Sequence, residues 1–302
     1  MDRRMAVALA AREQTRARYP DAEGDVMRDG VRVHYEIYGR GAPTVFLLPT
    51  WSIIHSRHWK AQLPYLSRHF RVLTFDGRGN GRSDRPDEPE AYAEREFAAD
   101  AVAVMDATQT ERAVLVALSL GAQRGTLLAA EHPERVAGIA YIGPAWPGGG
   151  EALADRVAAG TWDEELESED GWAKYNKHYW LRDYRGFVEF FFAKMFSEPH
   201  STKPIEDCVG WGLETTPETL VTAQRAAVLQ PREARALATR IRCPVLVIHG
   251  SDDRITSLTR GSALAEQARG ELVVLEGSGH GPHARDPVAV NALLHQFVTR
   301  CR

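Results

Sequence analysis

Short, mostly apolar runs recur along this chain and are separated by longer stretches with the apolar period of a helix. The runs most typical of strands lie at residues 44–48, 71–75, 114–118, 136–142, 244–248 and 271–275. A continuous apolar run bounded by turn residues indicates a strand buried on both faces, as in a parallel sheet covered by helices. Helical stretches near 57–68, 92–107 and 123–131 alternate with these runs. We therefore expect a mostly parallel, doubly wound α/β sheet.

Two further strands precede this series and bring the predicted sheet to eight strands. Residues 25–28 and 31–38 flank Asp29-Gly30, which is a typical hairpin turn. The alternation stops after the sixth strand and resumes only at Pro244, with a helical pattern in between. The predicted organisation is an N-terminal helical extension at 1–24, an α/β core at 25–146 and 241–302, and a helical insertion at 147–240.

Residues with nucleophilic, acidic and basic side chains follow three of the predicted strands. Ser119 comes directly after the fifth strand, and small residues two positions on either side of it permit a sharp strand-to-helix turn. Asp252 and Asp253 follow the seventh strand, and His280 follows the eighth. The carboxyl ends of parallel strands meet at one edge of a sheet, so these side chains can come together there. A serine, an imidazole and a carboxylate are the set that nucleophilic acyl transfer requires.

The chain resembles the α/β-hydrolase superfamily, specifically its lid-bearing esterase, lactonase and C–C hydrolase branch, over about residues 25–300. The chain order Ser, Asp, His is that of the superfamily. The segment 76–83, Asp-Gly-Arg-Gly-Asn-Gly-Arg-Ser, is similar to its D-x-R-G-x-G-x-S loop, which we expect to brace the nucleophile turn rather than to bind phosphate. The resemblance implies the triad Ser119, Asp253 and His280 and a lid formed by residues 147–240.

The segment after the third strand departs from the superfamily pattern. Most relatives carry His-Gly-x there, whereas this chain has Pro49-Thr50-Trp51. The mechanism requires a backbone NH at the third position, so we predict that the NH groups of Trp51 and Leu120 form the oxyanion hole. The proline and the missing glycine alter the path of this loop, and we expect the Trp51 ring to form one wall of the acyl pocket.

The predicted lid is rich in aromatic residues. Most of these rings must pack a core for the lid itself, but the rings on the face over Ser119 would line a pocket and favour a large apolar or amphipathic substrate. The predicted substrate contacts are Trp51, Trp146, Trp172, Tyr179 and Phe191.

An acidic run at residues 163–170 lies in the same segment. A solvated surface is the simpler interpretation of such a run. The alternative is attraction of a cationic substrate toward the site. That alternative would suit a bulky amine-bearing lactone, such as an amino-sugar macrolide.

Composition limits the other function classes. Lys and Arg total 37 and Asp and Glu total 41, and the net charge of −4 offers no reason to expect a nucleic acid or membrane partner. Three widely spaced cysteines lack metal-ligand spacing and indicate a reducing, cytoplasmic environment. The pair His280 and His283 lacks a third ligand, so we predict no metal. The apolar residues 5–11 are too few to span a bilayer, and the oligomeric state stays open.

The sequence thus predicts a serine hydrolase that cleaves a carboxylic ester or lactone of a bulky, partly apolar small molecule through an acyl-enzyme. A macrolide-type lactone is one candidate substrate. No cofactor is required. A C–C bond hydrolase or acyltransferase on the same triad is the alternative, and a non-catalytic small-molecule receptor is the third class.

Overall fold

A single eight-stranded sheet forms the centre of the protein, with strand order β1-β2-β4-β3-β5-β6-β7-β8. The computed structural model describes residues 16–157 and 162–301 of the 302-residue chain. The strands are β1 (Ala22–Arg28), β2 (Val31–Tyr38), β3 (Thr44–Leu47), β4 (Arg71–Phe75), β5 (Ala113–Leu118), β6 (Val136–Ile142), β7 (Val245–Gly250) and β8 (Glu271–Leu275).

The strand pairing confirms the predicted sheet. β1 pairs with β2 and β2 with β4 in antiparallel fashion, and all the remaining neighbours are parallel. Asp29 and Gly30, at the turn between β1 and β2, have φ values of 50° and 78°. Two successive positive φ values match the right-handed twist of a hairpin.

Twelve α-helices lie in the described part of the chain. They are α1 (Leu63–Leu66), α2 (Glu94–Ala107), α3 (Gly121–Glu131), α4 (Ala154–Val157), α5 (Lys177–Arg182), α6 (Tyr184–Met195), α7 (Thr202–Gly212), α8 (Pro217–Gln224), α9 (Pro231–Ala238), α10 (Leu258–Gln267), α11 (Pro282–Arg285) and α12 (Pro287–Arg300). Short 3₁₀ turns occupy Ser56–Trp59, Pro89–Tyr92, Pro133–Arg135 and Gly171–Lys174. The helix expected near 57–68 is divided into a 3₁₀ turn and α1, because Pro64 cannot donate to the preceding turn.

Helices α4 to α9 all lie between β6 and β7, in the segment predicted as the helical insertion. Of the predicted N-terminal helical extension, 1–24, residues 1–15 lie outside the described part of the chain. Its described part is not helical, since residues 16–21 have no regular structure and β1 begins at Ala22. The reason is that Ala22 already pairs with Ile37 in the hairpin.

Two apolar clusters cover the two faces of the sheet. In β5, Val114, Val116 and Leu118 belong to one cluster, and Leu115 and Ala117 belong to the other. Every residue of β5 is buried, as expected for a strand covered on both sides. The first cluster continues into the helical insertion, so the insertion packs directly on the sheet. Among the described residues, no helix combines the length and the apolar character that a bilayer span requires.

Candidate active site

Ser119 stands at the turn between β5 and α3 with its backbone in the left-handed region, at φ 52°. This conformation is uncommon for a residue other than glycine. The backbone holds it from both sides: the Ser119 NH donates to the carbonyl of Ile142 at 3.0 Å, and its own carbonyl accepts from Ala122 and Ala145, both at 3.0 Å. Strained, over-determined residues of this kind cluster at functional sites.

Two glycines of α3 allow the close approach that the turn requires. A Cβ on Gly121 would lie 2.8 Å from the carbonyl oxygen of Pro49. A Cβ on Gly125 would lie 2.6 Å from Cδ1 of Ile139. The small residue predicted at 121 is therefore required by the approach of the 49–51 loop, and Gly125 serves the packing of α3 on the sheet.

The structure brings Asp253 and His280 together, with Oδ2 of Asp253 2.7 Å from Nδ1 of His280. The other carboxylate oxygen accepts from the backbone NH groups of Ile255 and Thr256 at 2.8 and 2.9 Å. Asp252 instead is half-exposed and pairs with Arg254 at 3.1 Å. Of the two neighbouring aspartates, only Asp253 contacts the imidazole.

A second imidazole contacts the same carboxylate. Nε2 of His249 lies 3.1 Å from Oδ2 of Asp253, a contact that sequence reasoning missed because His249 precedes the acid loop at the end of β7. Burial acts to raise the pKa of Asp253, but the charge of His280 and the hydrogen bonds from His249 and His280 outweigh it. The pKa of Asp253 therefore lies below its ordinary value, and the group is a carboxylate.

The loop that carries His280 is tied to the helical insertion. The NH of His280 donates to the carbonyl of Met195 at 3.0 Å. The NH of Gly279 donates to Oε1 of Glu198 at 2.7 Å, and the Ser278 hydroxyl donates to the same oxygen at 3.2 Å. The end of α6 and Glu198 just after it thus hold the loop that positions the His280 imidazole. These are long-range contacts that no sequence pattern indicates.

A buried ion pair supports the loop that departs from the superfamily pattern. Nε of Arg124 donates to Glu94 at 2.8 Å, and its Nη1 donates to the carbonyls of Pro49 and Thr50 at 3.2 and 2.5 Å. Both side chains are almost fully buried. Burial raises the pKa of Glu94, and Arg124 offsets only part of that effect. Arg124 thereby fixes the two carbonyls that precede Trp51.

The two residues whose NH groups are predicted as oxyanion donors line the same cavity as the serine. Trp51, Leu120 and Ser119 all line it. Within residues 16–157 and 162–301, neither the Trp51 NH nor the Leu120 NH donates to another backbone group.

The glycine-rich segment 76–83 contacts the loop after Trp51 rather than the nucleophile turn. The hydroxyl of Ser52 donates to the carbonyl of Arg78 at 2.9 Å, and Asn80 donates to the carbonyl of Ser52 at 3.1 Å. Arg78 itself forms a buried pair with Asp100 at 2.6 Å. We expected this segment to brace the nucleophile turn. Its contacts among the described residues instead support the 49–52 loop.

A cavity of about 300 Å³ opens at Ser119 between the sheet edge and the helical insertion. The Trp51 ring stands at its wall and contacts Tyr175, Trp180, Phe187 and Phe191, with ring centroids 5.2 to 6.2 Å apart. Trp51 and Phe191 are the two predicted substrate contacts that line the cavity.

The other three predicted substrate contacts are not among the residues that line this cavity, and their polar atoms are bonded elsewhere. Trp146 belongs to the cluster on the opposite face of the sheet, and its Nε1 donates to Gln267 at 3.0 Å. Trp172 donates to Asp155 at 3.0 Å, and Tyr179 donates to Asp183 at 3.1 Å. Large rings with a polar tip are stable inside a core when that tip has a partner.

The acidic run at 163–170 lies on the surface of the insertion, away from the cavity lining. Asp163 pairs with Lys177 at 2.9 Å, and Glu169 pairs with Arg182. This is the solvated surface that the simpler interpretation predicts. The charged residues that do line the cavity are Glu94, Arg124, Arg156 and Arg260.

One group within the described residues has the geometry to hold a metal ion, formed by Glu23, His34 and Glu36. It lies on β1 and β2, outside the cavity lining. Arg82 pairs with Glu23 at 2.9 Å, and Arg16 pairs with Glu36 at 3.0 Å. The two carboxylates therefore already have cationic partners.

Comparison with known proteins identifies the family. Residues 41–293 match the Alpha/beta hydrolase family, and the chain belongs to this family. The match confirms the predicted superfamily and fold, and together with the enol-lactonase relative described below it supports the predicted class, a carboxylic-ester hydrolase.

Three similar proteins illustrate the range within the family. RutD of Variovorax paradoxus (strain S110), whose name proposes carbamate hydrolysis, is 28% identical over 274 residues, covering 89% of this chain and 96% of that protein. The 3-oxoadipate enol-lactonase 2 of Acinetobacter baylyi is 25% identical over 272 residues, covering 89% and 94%. The structure of Est816, described as an N-acyl homoserine lactone degrading enzyme, has a TM-score of 0.74 and 26% identity, covering 91% and 100%.

Proposed function

We propose that this protein hydrolyses a carboxylic ester or lactone of a small molecule, with Ser119 as nucleophile, His280 as base and Asp253 as the acid that orients it. The observation that carries the proposal is the pairing of two features at one sheet edge. Ser119 occupies a left-handed turn that opens on the cavity, and the buried Asp253–His280 contact of 2.7 Å lies at the ends of β7 and β8.

In this proposal the reaction proceeds by two acyl transfers. Asp253 accepts only, so it keeps the proton of the neutral ring on Nδ1 and leaves Nε2 free to take the proton of the Ser119 hydroxyl. The serine oxygen then attacks the carbonyl carbon, and the C–O bond of the ester breaks as His280 returns the proton to the leaving alcohol. Water repeats the sequence on the acyl-enzyme and releases the acid.

The NH groups of Trp51 and Leu120 receive the negative charge of the tetrahedral intermediate in this scheme. Removal of one such donor typically costs about 3 kcal/mol of transition-state stabilisation. Arg124 contributes indirectly, because it holds the carbonyls of Pro49 and Thr50 just before the first of these donors.

The cavity supports a small, partly apolar acyl group. A volume of about 300 Å³ lies at the low end of small-molecule sites, and Trp51 and Phe191 supply apolar walls. A macrolide-type lactone is the least supported form of the proposal, since a macrocycle needs more room and its amine would meet arginines. C–C bond cleavage and acyl transfer to an alcohol use the same residues, and the reaction products distinguish them.

A small-molecule ester or lactone is the partner that this proposal assigns to the site. A cytoplasmic location belongs to the same proposal and rests on the unpaired cysteines at positions 208, 243 and 301.

The test combines labelling with a substrate screen. A fluorophosphonate probe should label the purified protein at Ser119, and Ser119→Ala should lose both the label and the hydrolysis of p-nitrophenyl esters and lactones, with products followed by mass spectrometry. Labelling at Ser52, which lines the same cavity, would contradict the assignment, as would full activity in Ser119→Ala.

A further inference from the structure

The charges that line the cavity are unbalanced. Glu94 and Arg124 neutralise each other at 2.8 Å. Arg156 and Arg260 line the same cavity and have no carboxylate within ion-pair distance among residues 16–157 and 162–301. These two arginines donate side-chain hydrogen bonds to backbone carbonyls, from Arg156 to Ile255 at 2.6 Å and from Arg260 to Glu151 at 3.4 Å. Among the residues that the structure describes, these two positive charges of the lining therefore have no counter-ion.

The surroundings of Arg156 orient its guanidinium. Its Cζ lies 4.5 Å from the ring centroid of Trp172 and 5.2 Å from that of Tyr175. Stacking on aromatic faces fixes the guanidinium plane and leaves its edge free to donate. One donor is used on the carbonyl of Ile255, two residues from Asp253, and a guanidinium has five NH donors in all. Trp172 thus has a role beside the site, as a platform for Arg156.

Arg260 lies in the first turn of α10, opposite the insertion that carries Arg156. Both side chains are partly buried. Both also line the same cavity beside Ser119, and burial together with the like charge of Arg156 lowers the pKa of Arg260. Two arginines held together in a half-buried cavity are stabilised by an anion between them. A carboxylate fits the planar, two-pronged donor geometry of a guanidinium.

We infer that Arg156 and Arg260 form a carboxylate subsite, and that the substrate is an ester or lactone carrying an ionised carboxylate besides the bond that is cleaved. The inference rests on the proposed function, which supplies the bond that is cleaved. The substrate it assigns is an anion, whereas the acidic run at 163–170 suggested a cationic substrate. The insertion supplies one arginine and α10 the other, so an anionic substrate bridges the insertion and the core next to Ser119.

The test uses three esters of one chain length: p-nitrophenyl hemiglutarate, its neutral terminal amide, and an amine-terminated analogue. The wild-type enzyme should give kcat/KM for the hemiglutarate at least tenfold above the amide and lowest for the amine, with the advantage shrinking as salt rises. Arg156→Met and Arg260→Met should each remove most of that advantage, so that within each variant the ratio of kcat/KM for the hemiglutarate to kcat/KM for the amide falls toward one. Arg185→Met is the matched control, because Arg185 lies exposed on α6 and should change nothing.

A binding measurement separates failure of this inference from failure of the proposed function. Calorimetric titration of glutarate into Ser119→Ala measures binding without turnover, and the arginine changes are then added to this variant. If a methionine variant does not fold, Arg156→Lys or Arg260→Lys takes its place, because lysine keeps the charge but lacks the two-pronged donor geometry of a guanidinium. Turnover of all three esters at equal kcat/KM leaves the hydrolase standing and overturns the carboxylate subsite. If no ester is cleaved, glutarate binding that weakens tenfold or more with the arginine changes still supports the subsite, and absent or unaffected binding overturns it.

Discussion

The buried pair of Glu94 and Arg124 allows stability and catalysis to be separated. In Arg124→Met, the Glu94 carboxylate loses its partner while its side chain stays only 4% exposed. A stranded buried charge of this kind costs about 3–5 kcal/mol, and the loss of donors to Pro49 and Thr50 adds about 1 kcal/mol or more. This is a large share of the roughly 5–15 kcal/mol by which a protein is usually stable.

The double variant Glu94→Leu/Arg124→Met should recover most of that loss, because replacing both partners of a buried pair by apolar side chains is often close to neutral. Its kcat should stay at least tenfold low, because the carbonyls before Trp51 still lack the donors that position the loop. One oxyanion donor is worth on the order of 10²–10³ in kcat, which sets the upper limit of the effect.

Urea denaturation followed by tryptophan fluorescence measures the first quantity, and ester hydrolysis under saturation measures the second. Arg95→Met is the control, since Arg95 is 53% exposed in its pairs with Glu131 and Glu233 and should cost no more than about 1 kcal/mol. Equal destabilisation by Arg124→Met and Arg95→Met would refute the argument about burial. Recovery of kcat together with stability in the double variant would refute the role assigned to the 49–51 loop.

Two further predictions follow from the acidic groups. Asp253→Asn should lower kcat on the order of 10⁴-fold, as when a triad aspartate is amidated. Asp252→Asn should change kcat little, because Asp252 is half-exposed and paired with Arg254. Equal losses of kcat, measured with one ester, would mean that the assignment of the acid is wrong. Asp76 is buried, and although burial acts to raise its pKa, the charge of His55 and donors from Ser56 and Arg82 hold that pKa below its ordinary value. The ionised carboxylate therefore stabilises the fold above the unfolded pKa of about 3.9, and this stabilisation is lost as pH falls through the folded pKa. Urea unfolding between about pH 3 and 7 should show that the free energy of unfolding falls less steeply toward acid pH in Asp76→Asn than in the wild type. A difference in unfolding free energy that stays the same at every pH would contradict this.

Much of the fold could be predicted from local pattern. The strand β5 is an uninterrupted apolar run because both of its faces are covered, and such a run is legible without tertiary information. The positions of Ser119, Asp253 and His280, each following its own strand, could be predicted for the same reason, since parallel strands bring their carboxyl ends to one edge.

The helical insertion shows where local pattern fails. A helix buries whichever face its neighbours cover, so ring content alone could not tell which rings meet the cavity. Trp172 and Tyr179 are buried within the insertion, whereas Tyr175, between them in sequence, lines the cavity. Tyr175 directly follows the 3₁₀ turn Gly171–Lys174 and packs on Trp51, with ring centroids 5.9 Å apart, and this long-range contact sets the distinction.

Charge pairing was decided by tertiary structure alone. The acidic run stood out in the sequence but is a surface feature, and the arginines that line the cavity, Arg156 and Arg260, are separated by more than a hundred residues and lie in no motif. In the sequence, Arg124 has no feature that distinguishes it from other helix residues. Only the tertiary structure shows that it contacts Glu94 and the carbonyls of the 49–51 loop. Sequence periodicity reports burial, which each element expresses locally, whereas the electrostatics of a cavity depend on which distant side chains the fold brings within a few ångströms of one another.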